Sequence, residues 1–199
     1  MTARFRHYER KPFDAENCTR CGLCLSRCPV LELPPATARR EIAALIQYAG
    51  DPDPSSAYTG AVVRKCTSCF ACNLVCPEDC RPANLILDIR HRHYQRNGLP
   101  ERARFFLPYS RPNYRTYLLE RLSRTERDAL RSWETLAPTE TLFYPGCNLL
   151  MTPSILLSKI FAHLPIRGSL EYCCGEAYFR MGLYEHVEQA AARCTRYFR

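Results

Sequence analysis

The segment CTRCGLCLSRCP, Cys18 to Pro29, sets four thiols at the spacing Cys-x2-Cys-x2-Cys-x3-Cys-Pro, and CTSCFACNLVCP repeats that spacing from Cys66. At an offset of 48 positions Cys18, Thr19, Cys21, Cys24, Cys28 and Pro29 meet Cys66, Thr67, Cys69, Cys72, Cys76 and Pro77, so the segment is an internal repeat. Thiols packed this tightly make poor disulfide partners. The total of 13 cysteines is also odd. Soft thiolates at this density are metal ligands, and a reducing compartment is expected.

A cubane iron–sulfur cluster takes four thiolates at the corners of a small cube. A Cys-x2-Cys-x2-Cys loop can wrap three corners by turn geometry alone, and the fourth ligand must come from elsewhere. In the doubled pattern ending in Cys-Pro, the fourth cysteine of each run serves the cluster of the other run. The expected sets are therefore Cys18, Cys21, Cys24 and Cys76 for one 4Fe–4S cluster, and Cys66, Cys69, Cys72 and Cys28 for a second. Pro29 and Pro77 fix φ and withhold a donor where the chain leaves each run. The alternative is tetrahedral zinc, which also accepts four thiolates but is usually met by two separated Cys-x-x-Cys pairs.

Around these runs the pattern is helical. Ile42, Leu45, Ile46 and Ala49 form an apolar stripe over Ala38 to Tyr48, with Thr37 to cap it and Gly50 to end it before DPDP. A short helix from about Ala57 to Lys65 delivers the chain to Cys66. After Cys76, a helix with Pro82 in its first turn turns Leu85, Ile86 and Ile89 inward and stops at Gly98 and Pro100. Residues 1–99 are thus read as an α-helical ferredoxin domain. Residues 100–140 form a helical connector, with SRTE (Ser123 to Glu126) as a capping box and aromatics from Phe105 through Tyr109 to Trp133 as packing.

Residues 141–199 change character. TLFY and SLEY read as short strands, Thr152 to about His163 and Leu183 to Phe198 as helices, which is an α/β order. The expected fold class is therefore α plus α/β. So small a sheet would leave Leu142, Phe143, Ile155, Leu156, Ile160, Val187 and Phe198 uncovered. Three further cysteines lie here, Cys147 in FYPGCN and Cys173 and Cys174 in EYCCGEAYFRMG. Cys194 falls on the apolar stripe of the last helix and reads as packing. Cys80 is surplus to two complete runs, and the five histidines form no liganding pattern.

The net charge of +8 counts cysteines as neutral. Two clusters of net charge near −2 would bring it to roughly +4. With its arginines spread along the chain, the protein is not expected to bind nucleic acid. No apolar run suits a secretory core, and Leu142 to Ile166 is broken by Pro145, Pro153 and Pro165, so a soluble, cytoplasmic protein is expected, reaching a membrane only through a partner. There is no G-x-S-x-G, G-x-G-x-x-G or Walker loop.

The doubled run with its spacer of 37 residues resembles the α-helical ferredoxin module of the heterodisulfide reductase small subunit, also present in succinate dehydrogenase iron–sulfur subunits, and RKCTSCFACNLVCPEDC is especially similar to the former. FYPGCN with EYCCGEAYFRMG resembles the start of a CCG domain, the cysteine-rich module of heterodisulfide reductase catalytic subunits and of hydroxy-acid and glycerol-3-phosphate oxidation subunits. In that family a cysteine, a Cys-Cys-Gly and a later Cys-x-x-Cys gather around a catalytic cluster. Cys147, Cys173 and Cys174 match the first three, and the chain reaches Arg199 without a Cys-x-x-Cys. Only the N-terminal half of the domain is therefore expected here, in a truncated chain or with the rest supplied by another polypeptide. The other reading is that these three cysteines bind nothing.

The resemblance implies an electron-transfer subunit of an oxidoreductase complex whose partners are other redox subunits: a flavoprotein, a membrane cytochrome, or the subunit completing the CCG domain. A catalytic disulfide reductase with a third cluster at Cys147, Cys173 and Cys174, and a zinc-stabilised interaction module, are the alternatives.

Overall fold

The duplication in the sequence is also a duplication of backbone. The computed structural model describes residues 11–49, 59–107, 111–137 and 139–198. The first run folds around a single turn of helix, α1 (Leu23–Ser26), followed by the longer α2 (Pro35–Ala49) and by α3 (Thr59–Lys65). The second run repeats the scheme with α4 (Ala71–Leu74) and α5 (Pro82–Asn97). Each short helix is entered through two left-handed residues at matching positions, Arg20 (φ 56) and Gly22 (φ 76) in the first run, Ser68 (φ 55) and Phe70 (φ 63) in the second.

The stripe on α2 packs as its spacing requires. Ala38, Ile42 and Leu45 are buried with Leu85, Ile86 and Ile89 of α5, and Ile46 and Ala49 pack partly buried against them. Each such side chain removed from water contributes about 1.5–3 kcal/mol. The start of α2 differs from expectation. The helix opens at Pro35, with the Pro34 carbonyl accepting from the Ala38 N–H at 2.9 Å, because a proline in the first turn lacks only an N–H that would find no helical partner. Thr37 therefore lies inside the helix. The expected cap Gly50, the DPDP stop and Ala57 lie outside the described residues, as does Tyr109 of the connector.

The chain divides into two compact units. The first runs through Asn97 and takes in Arg180–Gly182; the second holds Gly98–Phe179 and the residues from Leu183 onward. In the second unit α6 (Glu101–Phe105), α7 (Tyr114–Leu119) and α8 (Arg124–Thr135) precede α9 (Gly146–Leu150), α10 (Pro153–Leu156), α11 (Glu176–Arg180, all but its last residue) and α12 (Tyr184–Phe198). The SRTE capping box forms, the Ser123 hydroxyl accepting from the Glu126 N–H and the Glu126 carboxylate accepting from the Ser123 N–H at 2.9 Å. A second box, Asn113 with Thr116, opens α7. Leu130, Leu150, Leu156 and Ile166 form the unit's core, with Trp133, Phe143 and Phe161 packed around them.

The strand order expected of residues 141–199 is not what forms. Phe143 makes one isolated parallel bridge, to Ile166 and not to SLEY. Its N–H donates to the Pro165 carbonyl at 3.0 Å, and its carbonyl accepts from the Arg167 N–H at 3.1 Å. Pro145 and Pro165 flank that bridge closely, and a residue without an N–H cannot extend a ladder, so among the described residues no strand grows from it. SLEY instead closes a turn, with the Tyr172 N–H donating to the Ser169 carbonyl at 3.3 Å. The helix expected to reach His163 ends after Leu156 and continues as short turns, Phe161 N–H to Ser158 and Leu164 N–H to Phe161. Of the apolar residues expected at the surface, Ile155 and Ile160 are exposed, but Leu156 is buried in the core. Among the described residues no helix is long and apolar enough to cross a membrane.

Candidate metal centre

Both cysteine runs belong to the first unit. Cys18, Cys21 and Cys24 come from the loop into α1 and from α1 itself, and with Cys76, from the far end of the second run, they line one cavity walled by Ile42 of α2. Burial pushes the Cys24 thiol up to about 12, with the thiols of Cys72, Cys18, Cys21 and Cys76 acting in the same direction. Burial does the same to Cys72, again to about 12, and its thiol neighbours are Cys66, Cys28 and Cys69. The third cysteine of each run thus has near it the other two leading thiols of its own run and the fourth thiol of the opposite one, and Cys24 has Cys72 as well. A thiol held protonated by burial and by like neighbours gives up its proton when a metal takes the lone pair, so loading these sites releases protons.

None of the 13 cysteines forms a disulfide. In the two runs the Ser68 N–H reaches Cys66 Sγ at 3.4 Å and the Cys80 N–H reaches Cys76 Sγ at 3.3 Å. Such bonds are among the features that set the potential of an iron–sulfur centre. Among the described residues no three Cys, His, Asp or Glu side chains converge on the position of a single metal ion. An all-thiolate donor set with amide N–H groups on sulfur fits an iron–sulfur cluster, a body larger than one ion. Cys80 is fully buried in the wall of the first set's cavity, and burial pushes its thiol up to about 12.

The second unit gathers the other candidate residues. Cys147 on α9 shares a hydrogen bond with Cys173, and so does Cys174. Those bonds, from Cys147 first and then Cys174, hold the Cys173 thiol well below the usual range, aided by the Gly175 N–H at 3.4 Å and by Arg115 Nη2 at 3.6 Å. The same bonds push the Cys147 and Cys174 thiols up. Arg115 is buried on α7, and its Nη1 donates to the Leu170 carbonyl at 2.8 Å. Beside Cys173 opens a cavity of about 370 Å³ lined by Arg111, Arg115, His186 and Arg193.

Arg115 is the residue that the sequence did not point to. It lies in the connector and carries no motif; only its distance in space from Cys173, not in chain, gives it a role. Cys194 sits half-buried on α12, and its thiol donates to the Cys173 carbonyl at 3.1 Å. Cys194→Ala is expected to leave the iron content unchanged and to cost about 1 kcal/mol, one modest hydrogen bond with some packing. Denaturant unfolding with iron analysis checks it, and loss of iron would give Cys194 a ligand's role.

Residues 14–80 match the family model described as a 4Fe-4S dicluster domain. The protein is thereby placed in the class of iron–sulfur proteins, and its chemistry in that of iron–sulfur electron transfer. No curated protein and no solved structure matches the chain.

Proposed function

We propose that this protein is the electron-transfer subunit of a heterodisulfide reductase-like oxidoreductase complex, with two 4Fe–4S clusters held crosswise. Cys18, Cys21, Cys24 and Cys76 hold one, and Cys66, Cys69, Cys72 and Cys28 hold the other. The observation that carries the reading is the cavity that Cys18, Cys21 and Cys24 of the first run line together with Cys76 of the second; on the other side the Cys72 thiol has Cys28 beside it along with Cys66 and Cys69. When bound, the clusters supply one-electron reduction and oxidation at fixed sites. The chain's own part is to set Cys24 on α1 and Cys72 on α4, to donate backbone N–H groups to Cys66 and Cys76, and to pack Cys24, Cys66 and Cys72 against the core made by α2 and α5. Docked redox subunits, soluble or membrane-bound, provide donor and acceptor.

A dithionite titration of anaerobically purified protein tests this. Two electrons per chain without any substrate is the expected uptake, and no uptake would contradict it. A second reading, catalysis at a third cluster, is favoured by the grouping of Cys147, Cys173 and Cys174 against Arg115. Cys147→Ala should leave the two-electron uptake intact if that grouping plays no part in it, and any added electron lost on this change would support the third cluster.

A further inference from the structure

The two halves of the repeat bury charged residues of opposite kind: Glu41 of α2, matched at the repeat offset by Ile89, lies buried in the first, and Arg90 of α5 in the second. Arg90 of α5 is 9% exposed and spends its donors on the chain around the second cysteine run. Nε and Nη2 reach the Val63 carbonyl at 3.1 and 2.5 Å, and Nη2 reaches the Cys66 carbonyl at 2.6 Å. Nη1 donates to Ser68 Oγ at 2.9 Å and to the Arg180 carbonyl at 2.7 Å. Ser68 in turn gives its N–H to Cys66 Sγ. All these acceptors are neutral, and among the described residues no carboxylate forms an ion pair with Arg90.

A guanidinium taken out of water costs several kcal/mol unless negative charge answers it. Arg90 meets the second run at the Cys66 carbonyl and at Ser68, and that answer would come from Cys66, Cys69, Cys72 and Cys28 as thiolates once they hold a cluster. The first half lacks the device. At the repeat offset the residue matching Arg90 is Ile42, 1% exposed and set in the wall of the cavity of the first thiol set. The arginine on that side, Arg39, reaches the Cys21 carbonyl at 3.4 Å but lies in solvent, where water screens its charge.

We propose that Arg90 raises the reduction potential of the second centre above that of the first, so that the electron of a half-reduced protein rests at Cys66, Cys69, Cys72 and Cys28. The inference rests on the two-cluster reading. Reduction adds one electron from a donor such as dithionite, with no bond made or broken, and leaves the held group one unit more negative. A buried cation stabilises that form more than the oxidised one; Ile42 does neither.

The test is a potentiometric titration of the full chain followed by electron paramagnetic resonance, the second centre being identified as the signal that Cys28→Ser removes. Arg90→Gln should lower the second potential, with a shift on the order of tenfold in the reduction equilibrium, about 59 mV for one electron. The first should stay in place, and Arg90→Lys should recover most of the loss. Because Arg90→Gln also loosens the loop, Ser68→Asp provides a second arm: it leaves the arginine and sets a carboxylate against it, and should move the same potential the same way. Unchanged potentials in Arg90→Gln and Ser68→Asp proteins that keep their iron would overturn the inference alone. Arg90→Lys shifting as far as Arg90→Gln would overturn it too, leaving a positioning role. A wild-type chain without iron would instead sink the two-cluster reading beneath it.

Discussion

Cys28→Ser is expected to abolish the signal of the cluster held by Cys66, Cys69 and Cys72 and to spare the one held by Cys18, Cys21 and Cys24, with roughly half the iron lost. The result runs against chain order, since Cys28 closes the first run. It follows from the cavity that Cys76 lines with Cys18, Cys21 and Cys24, and from Cys28 being among the thiols that act on Cys72. Serine keeps the size of the side chain while replacing a soft ligand by a poor one, so folding of α1 should be little affected. Cys76→Ser should give the mirror image. If each substitution silenced the cluster of its own run, the crossed assignment would be wrong.

Gly22→Ala should destabilise the first unit strongly. Gly22 lies at φ 76, and a Cβ there would stand 2.5 Å from the Arg39 nitrogen and 2.7 Å from the Ala38 carbonyl carbon. Both are backbone of α2, which cannot swing aside as a side chain can. The left-handed conformation alone costs about 1–2 kcal/mol for a residue with a Cβ. Separating α1 from α2 raises the total to on the order of 3–5 kcal/mol. Since Gly22 lies between Cys21 and Cys24, iron in the first set should fall with stability. Phe70 holds the matching position of the second run at φ 63 with its side chain in place, so Phe70→Ala should cost only on the order of 1 kcal/mol. Denaturation midpoints and iron content of the two variants make the comparison, and equal costs would contradict it.

What could be read in advance depended on how local its cause is. The stripe of Ile42 and Leu45, the inward face of Leu85, Ile86 and Ile89, and the Ser123 capping box formed because each is decided within a few residues of chain. TLFY and SLEY were misread because a strand exists only with a partner, and the prolines flanking Phe143 and Ile166 confine their pairing to one bridge. Arg90 and Arg115 left no trace in the pattern. Each is one arginine among many, and its meaning comes from partners far along the chain, Arg180 for one and Cys173 for the other. The repeat itself was legible as spacing, but its asymmetry was not: nothing in the bare alignment of Ile42 with Arg90 shows that both are buried beside the thiol sets.

Iron and acid-labile sulfide, counted on anaerobically purified full-length protein, test the central claim most directly. Two cubane clusters require about eight of each per chain. Zinc without sulfide, or iron and sulfide at half that level in a protein whose eight run cysteines are all intact, would contradict the account.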